Sequence, residues 1–141
     1  FVRAREDEVE RFKFKRRFHQ AVIARCKLLM AAGRSVMLVG DFNVCHKRLD
    51  TSAPDSMPLS CWTSPMRRWM DDILEQEGFV DTLRHFHPQR KGCYTCWDMR
   101  TGARDNNSGV RLDYMLTTAS MSADLLAADV MQHVHGSDHC P

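Results

Sequence analysis

The stretch Val36–Met37–Leu38–Val39–Gly40–Asp41–Phe42–Asn43 decides how the rest of the chain is read. Four consecutive apolar residues predict a short buried strand, and Gly40 permits a close turn that brings Asp41 and Asn43 to its C-terminal end. A carboxylate and an amide placed there face a site. Two later stretches share the design: Arg111–Leu112–Asp113–Tyr114 in a strand, and Gly136–Ser137–Asp138–His139–Cys140–Pro141 just after one. The expectation is that these strand ends converge, gathering Asp41, Asn43, Asp113, Asp138 and His139 into one site.

Working upstream, residues 6–32 read as one long helix. Phe14, Phe18, Val22, Cys26 and Leu29 recur at spacings of three and four, and Gly33 follows as the C′ residue. Arg11, Lys13, Lys15, Arg16 and Arg17 form a basic block lying largely off that stripe, which reads as a solvated face before a nucleic-acid-contacting one. A helix leading straight into a buried strand predicts an α/β layer architecture.

Downstream, residues 44–65 read as an irregular loop broken by Pro54, Pro58 and Pro65, with Lys47 and Arg48 near enough to Asp41 to reach a phosphate backbone. Ser64–Pro65 reads as an N-cap and N1 pair, opening a helix with Trp69, Ile73 and Leu74 on its face and ending before Gly78. Residues 79–86 fit either a strand or a helical turn, with Asp81, Arg84 and His85 as structural hydrogen-bonding groups. Tyr94–Trp97 and Val110–Leu116 read as strands flanking a polar loop. In the second, Val110, Leu112, Tyr114 and Leu116 alternate with Arg111, Asp113 and Met115, so Asp113 lies on the polar face. Residues 120–128 predict a short helix and 129–134 a last strand.

A chain of 141 residues with 43% hydrophobic content amounts to about one domain with a core, which excludes a disordered tail. A net charge of +2 is too small to diagnose a nucleic-acid binder. No apolar run approaches the ~18–20 residues of a membrane span, so no membrane partner is expected. The six cysteines read as free thiols in a reducing compartment. A sharper alternative is a zinc site from His85, His87, Cys93 and Cys96, although a strand through Tyr94–Trp97 would turn Cys93 and Cys96 to opposite faces.

Asp, Asn and His suit phosphodiester hydrolysis, which needs a neutralised nonbridging oxygen, an activated water and a stabilised leaving alkoxide. Mg²⁺, with Mn²⁺ as the alternative, takes one or two carboxylates, and Asp41 and Asp138 meet that need. Asp41 also suits proton abstraction from water, and Asn43 suits holding the nucleophile or the developing charge; spacing does not separate these roles. Asp113 suits orienting His139 through one ring nitrogen, which leaves the other for phosphate.

With Gly40–Asp41–Phe42–Asn43 and Ser137–Asp138–His139, the chain resembles the exonuclease–endonuclease–phosphatase superfamily. Tyr94–Thr95–Cys96–Trp97, Gly109–Val110–Arg111–Leu112–Asp113–Tyr114 and Gly136–Pro141 are similar to class II apurinic/apyrimidinic (AP) endonucleases, the exonuclease III group. Thr101–Gly102–Ala103–Arg104 and residues 46–50 are most similar to the AP endonuclease 2 branch. The resemblance implies a four-layered α/β sandwich of which residues 1–141 are the C-terminal half, lacking an N-terminal half and a last strand.

The resemblance also implies a metal-dependent DNA-repair nuclease acting on double-stranded DNA at abasic sites and blocked or recessed 3′ ends. Asp41 would be the acid/base, Asn43 the transition-state stabiliser, Asp113 the partner of His139, and His139 a phosphate contact. Asp138 would be a metal ligand, with Asp41, Asn43 and His139 as further ligands in some descriptions. Arg100, Arg104 and Asn107 would contact DNA, while Cys96, Trp97 and Val110 would wall the sugar pocket. Cys and Val where bulky aromatics often stand favour 3′-end trimming over abasic-site incision. The early Asn, the metal-binding Glu and the active-site Tyr of such enzymes have no counterpart here, so this piece alone is expected to be inactive. It would act as a nuclear or, alternatively, mitochondrial monomer, with clamp partners reached through other regions. The competing readings are a retroelement-type endonuclease or other phosphoesterase of the same superfamily, and a non-catalytic zinc-bound DNA-binding module.

Overall fold

A computed structural model describes residues 9–56 and 61–141. Helix α1 (Val9–Ala31) leads into β1 (Met37–Asp41), and α2 (Ser64–Glu75) into β2 (Phe79–Asp81). A short α3 (Thr82–Phe86), the two-residue strands β3 (Cys96–Trp97) and β4 (Gly109–Val110), and β5 (Asp113–Thr118) complete the regular elements, with 3₁₀ turns at Arg48–Asp50, Met99–Thr101 and Ala119–Asp124. Residues 6–8 of the expected first helix lie outside the described residues.

The C-terminus of α1 closes as a Schellman motif. Gly33 takes φ 74, its N–H donates to Met30 O, and Arg34 N–H donates to Leu29 O at 3.0 Å. The buried stripe of α1 is not the expected one at its first half. Lys15 and His19 are buried, whereas Phe14 and Phe18 are 51% and 38% exposed. Positions 15, 19, 22, 26 and 29 alternate spacings of four and three, which tracks a helix face more closely than 14, 18 and 22. Helix α2 begins one residue earlier than the Ser64–Pro65 pair suggests: Thr63 is the N-cap, accepting the Met66 N–H.

Three strands form an antiparallel sheet in the order β1-β5-β2. Both long helices cover one side of it, building a core from Cys26, Val36, Phe42, Met66, Met70, Ile73, Phe79, Tyr114 and Leu116. The opposite side is bare: Met37, Val39 and Met115 are 41%, 61% and 43% exposed. The strand expected to be buried throughout is therefore covered on one face.

The expected strand over Val110–Leu116 is two strands, β4 and β5, broken at Arg111 and Leu112. At that break Arg111 turns inward and is fully buried, against the polar-face position its alternation predicts. Its guanidinium pairs with both carboxylate oxygens of Asp81 (3.0 and 2.5 Å) and with Asp50 (2.9 Å), and Arg84 also pairs with Asp50. Burial pushes the Asp50 carboxyl up, but the Arg111 and Arg84 charges outweigh it and hold it below the usual range. Residues 44–56, part of the expected irregular loop, are pinned through this cluster, with Val44, Cys45, His46 and Asp50 buried. Residues 79–86 are both of the expected things, β2 then α3, joined at Asp81, which caps α3 by accepting the Arg84 N–H.

The tail differs most. Residues 129–134 are not a strand, and the expected helix is the 3₁₀ turn Ala119–Asp124. Arg104 fastens the tail instead, donating to the carbonyls of Gln132, Val134 and Ser137 while its guanidinium stacks 4.5 Å from the Trp97 ring.

Candidate active site

The β1–β5 register sets Asp41 directly opposite Asp113. Like charges opposed across a ladder repel, so each needs a partner of its own. Asp113 finds His139, whose Nδ1 donates to it at 2.7 Å. Asp41 accepts two hydrogen bonds from Asn43, from the backbone N–H at 2.7 Å and the side-chain amide at 2.6 Å. That turn needs unusual backbone: Gly40 sits at φ 133 and Asn43 at φ 51, the latter a region asparagine enters more readily than most residues.

Sequence reasoning missed two residues that hold this arrangement. Lys15 reaches from α1 to donate to the Asn43 carbonyl at 3.0 Å. Burial pulls its ammonium down to about 8, with the nearby Asp41 charge opposing. Thr95 Oγ1 accepts the backbone N–H groups of Leu112 and Asp113, at 3.0 and 3.1 Å, and so ties the start of β5 to β3. The spacing of Lys15 from His19, Val22 and Cys26 signals the first; nothing local signals the second.

The segment carrying His139 runs antiparallel beside β3. Trp97 N–H donates to Asp138 O, Cys140 N–H donates to Thr95 O, and Cys96 bridges to His139. His139 N–H also donates to Ser137 Oγ at 3.1 Å, which fixes the turn after Gly136. Asp41, Asn43, Asp113, Asp138 and His139 are thus brought to one end of the sheet from three distant stretches.

A cleft of about 720 Å³ opens beside them, lined by Asn43, Cys96, Trp97, Arg100, Val110, Asp138 and His139 among others. Arg100 lies exposed on its rim, paired with Asp98. Arg104 and Asn107, expected to contact DNA, also make hydrogen bonds within the protein. Asn107 accepts Trp97 Nε1–H at 3.1 Å and donates to Gly92 O at 3.0 Å, so both residues brace the cleft wall. Lys47 and Arg48 are paired with Asp71 and Asp55. Burial, then the carboxylates of Asp138, Asp113 and Asp41, push the Cys96 thiol up to about 12.

His85, His87, Cys93 and Cys96 do not gather as a zinc site. His87 Nε2 bonds to Ala128 O, His85 packs edge-on against Phe86, and Cys93 is buried away from the cleft. Among the described residues, the one group of three or more metal-type side chains with converging ligand atoms is Cys96, Asp138 and His139. Carboxylate and amide oxygens of the kind carried by Asp41, Asp138 and Asn43 are the donors a hard divalent ion takes.

A sheet covered by helices on one side thus carries an Asp–His pair at its end, beside the cleft. The chain belongs to the Endonuclease/Exonuclease/phosphatase family, whose pattern matches residues 6–139. It is 39% identical over 143 residues to the human DNA-(apurinic or apyrimidinic site) endonuclease 2, covering 94% of this chain and 27% of that protein. It is 33% identical over 133 residues to an exodeoxyribonuclease of Bacillus subtilis, covering 94% of this chain and 52% of that one. The crystal structure of the Xenopus laevis APE2 catalytic domain superposes with a TM-score of 0.85 at 34% identity, over 99% of this chain and 45% of that one. The chain therefore spans about a quarter of the human relative and has the α/β fold of this family.

Proposed function

We propose that residues 1–141 form the C-terminal half of a single catalytic domain in a metal-dependent DNA-repair nuclease. Its substrate is double-stranded DNA with abasic sites or blocked and recessed 3′ ends. The observation that carries this reading is the Asp113–His139 pair set beside Asp41 by strand register, with His139 lining the cleft. The apolar face at Met37, Val39 and Met115 supports the half-domain reading, since a sheet of this kind is buried on both sides in a layered sandwich.

Asp138 would hold a Mg²⁺ or Mn²⁺ ion, with Asp41, Asn43 and His139 as further ligands, and the ion would supply charge neutralisation at the phosphate. Asp41 takes the proton from the attacking water, and Asn43, locked to Asp41, orients that water. Asp113 orients the His139 ring through Nδ1, and His139, when protonated, presents its Nε2–H to a phosphate oxygen as charge develops there. Cys96, Trp97 and Val110 shape the wall beside the sugar, and Arg100 is placed on the rim to meet the backbone. The protein acts as a monomer in the nucleus, in the excision repair of DNA bases.

The test is cleavage by the full-length protein of abasic and 3′-recessed duplexes with and without Mg²⁺, alongside nicked duplex and inositol phosphates. Mg²⁺-dependent cleavage of the DNA substrates, abolished in Asp138→Ala, is expected. Intact protein that is inert on all DNA substrates overturns the reading.

A further inference from the structure

The cleft contains a side chain that hydrolysis by a hard ion does not use. Cys96 is the one half-buried cysteine; the other five are buried. Cys96 and His139 form an antiparallel bridge, and residues directly opposed in such a pair project from the same face. The ligand atoms of Cys96, Asp138 and His139 all lie within 4.8 Å of one another. Asp113 already occupies His139 Nδ1, the arrangement by which a carboxylate orients an imidazole whose Nε2 binds a metal.

We propose that Cys96, Asp138 and His139 form a site for a thiophilic divalent cation of the Zn²⁺ or Cd²⁺ class. One sulfur, one imidazole nitrogen and one carboxylate oxygen make the mixed donor set that zinc accepts and magnesium does not. Three protein ligands leave a fourth position open to water. Ligand atoms in a tetrahedral zinc site stand about 3.5 Å apart, so a spread of up to 4.8 Å closes by small side-chain rotations. The carboxylate charges of Asp41 and Asp113 act on the same sulfur and add a field that favours a dication. On binding, the thiol proton passes to solvent and the sulfur coordinates as thiolate. In that Asp138 and His139 also serve the proposed nuclease, the inference rests on that reading only for its consequence: a thiophilic ion and Mg²⁺ exclude one another.

The experiment titrates the full-length protein with Cd²⁺ and follows the ultraviolet charge-transfer band of a cadmium–thiolate bond. Zn²⁺ affinity is measured by competition against the band. Wild-type protein is expected to develop the band, Cys96→Ser to lose it, and Asp138→Ala, an exposed substitution, to weaken the midpoint at least about tenfold. Added Mg²⁺ is expected to raise the midpoint; a midpoint indifferent to Mg²⁺ overturns the mutual exclusion. A band that survives Cys96→Ser in folded protein, or one insensitive to Asp138→Ala, overturns the site. A protein inert on DNA whose band still depends on Cys96 supports the site while overturning the nuclease reading alone.

Discussion

Asp113 on β5 and His139 in the tail share a 2.7 Å hydrogen bond through the ring nitrogen Nδ1. A carboxylate in this position fixes both tautomer and ring orientation, so its value appears only through the imidazole. Asp113→Asn is therefore expected to lower kcat on abasic or 3′-recessed duplex about 10²- to 10⁴-fold, as is His139→Gln. The double variant should fall no further than the worse single one, because groups acting as a unit do not contribute independently. Steady-state kinetics of the three variants check this; multiplicative losses would separate the two residues.

The Asp41–Asn43 turn joins backbone strain to chemistry, and two substitutions split them. Asn43→Ala places a less tolerant residue at φ 51 and should cost about 1 kcal/mol of stability, along with activity. Asn43→Gly relieves the strain and should retain the wild-type unfolding midpoint while remaining as inactive as the alanine variant. Denaturant unfolding measured beside turnover tells them apart.

Removing Arg111 takes the cationic partner from buried Asp81 and leaves fully buried Asp50 with Arg84 alone. Arg111→Met should destabilise by about 3–5 kcal/mol, the range for breaking a buried ion pair by deleting one partner. Arg111→Lys should recover little of it, because an ammonium cannot reproduce the two-pronged contact with Asp81. Thermal unfolding of both variants is the check. The low Asp50 carboxyl gives the cluster a pH signature: its contribution is present above the unfolded carboxylate range and is lost as pH falls through the folded value.

What was legible in the sequence was local or short-range. Gly40 before Asp41, Gly33 after the first helix and the Gly136 turn each announce themselves through backbone demands that few other residues meet. The convergence of three stretches was also visible, because each sets polar residues beside an expected strand, although only the first ends one: Asp113 opens β5, and no strand immediately precedes Gly136. Arg111 was misplaced because period-two alternation treats a charged residue as outward-facing, whereas its partners Asp81 and Asp50 lie 30 and 61 positions away. The same bias favoured Phe14 and Phe18 over Lys15 and His19 in α1, although the latter have the better spacing. The last strand failed for another reason: apolar residues 130 and 134 invite a ladder, but the Arg104 guanidinium claims the carbonyls of Gln132 and Val134. Gly109 shows the same kind of long-range demand, since a Cβ there would meet Trp97 Nε1 at 2.5 Å.

His19 gives the stability of the domain a second acid-sensitive element. It is buried on α1, stacked 3.9 Å from Trp69, and burial, then the Lys15 charge, pull its imidazole down to about 3. The folded state therefore keeps His19 neutral where the unfolded chain, with an ordinary value of about 6.5, binds a proton. Stability from this group is complete above the unfolded value and declines as pH falls, until the folded imidazole also titrates near 3. Between pH 7 and pH 5 the loss should be about 1–2 kcal/mol. His19→Phe keeps a ring against Trp69 and removes the proton, so its unfolding free energy should decline less over that interval. Urea titrations of both proteins at the two pH values measure the difference, and equal declines would show that His19 is not the group responsible.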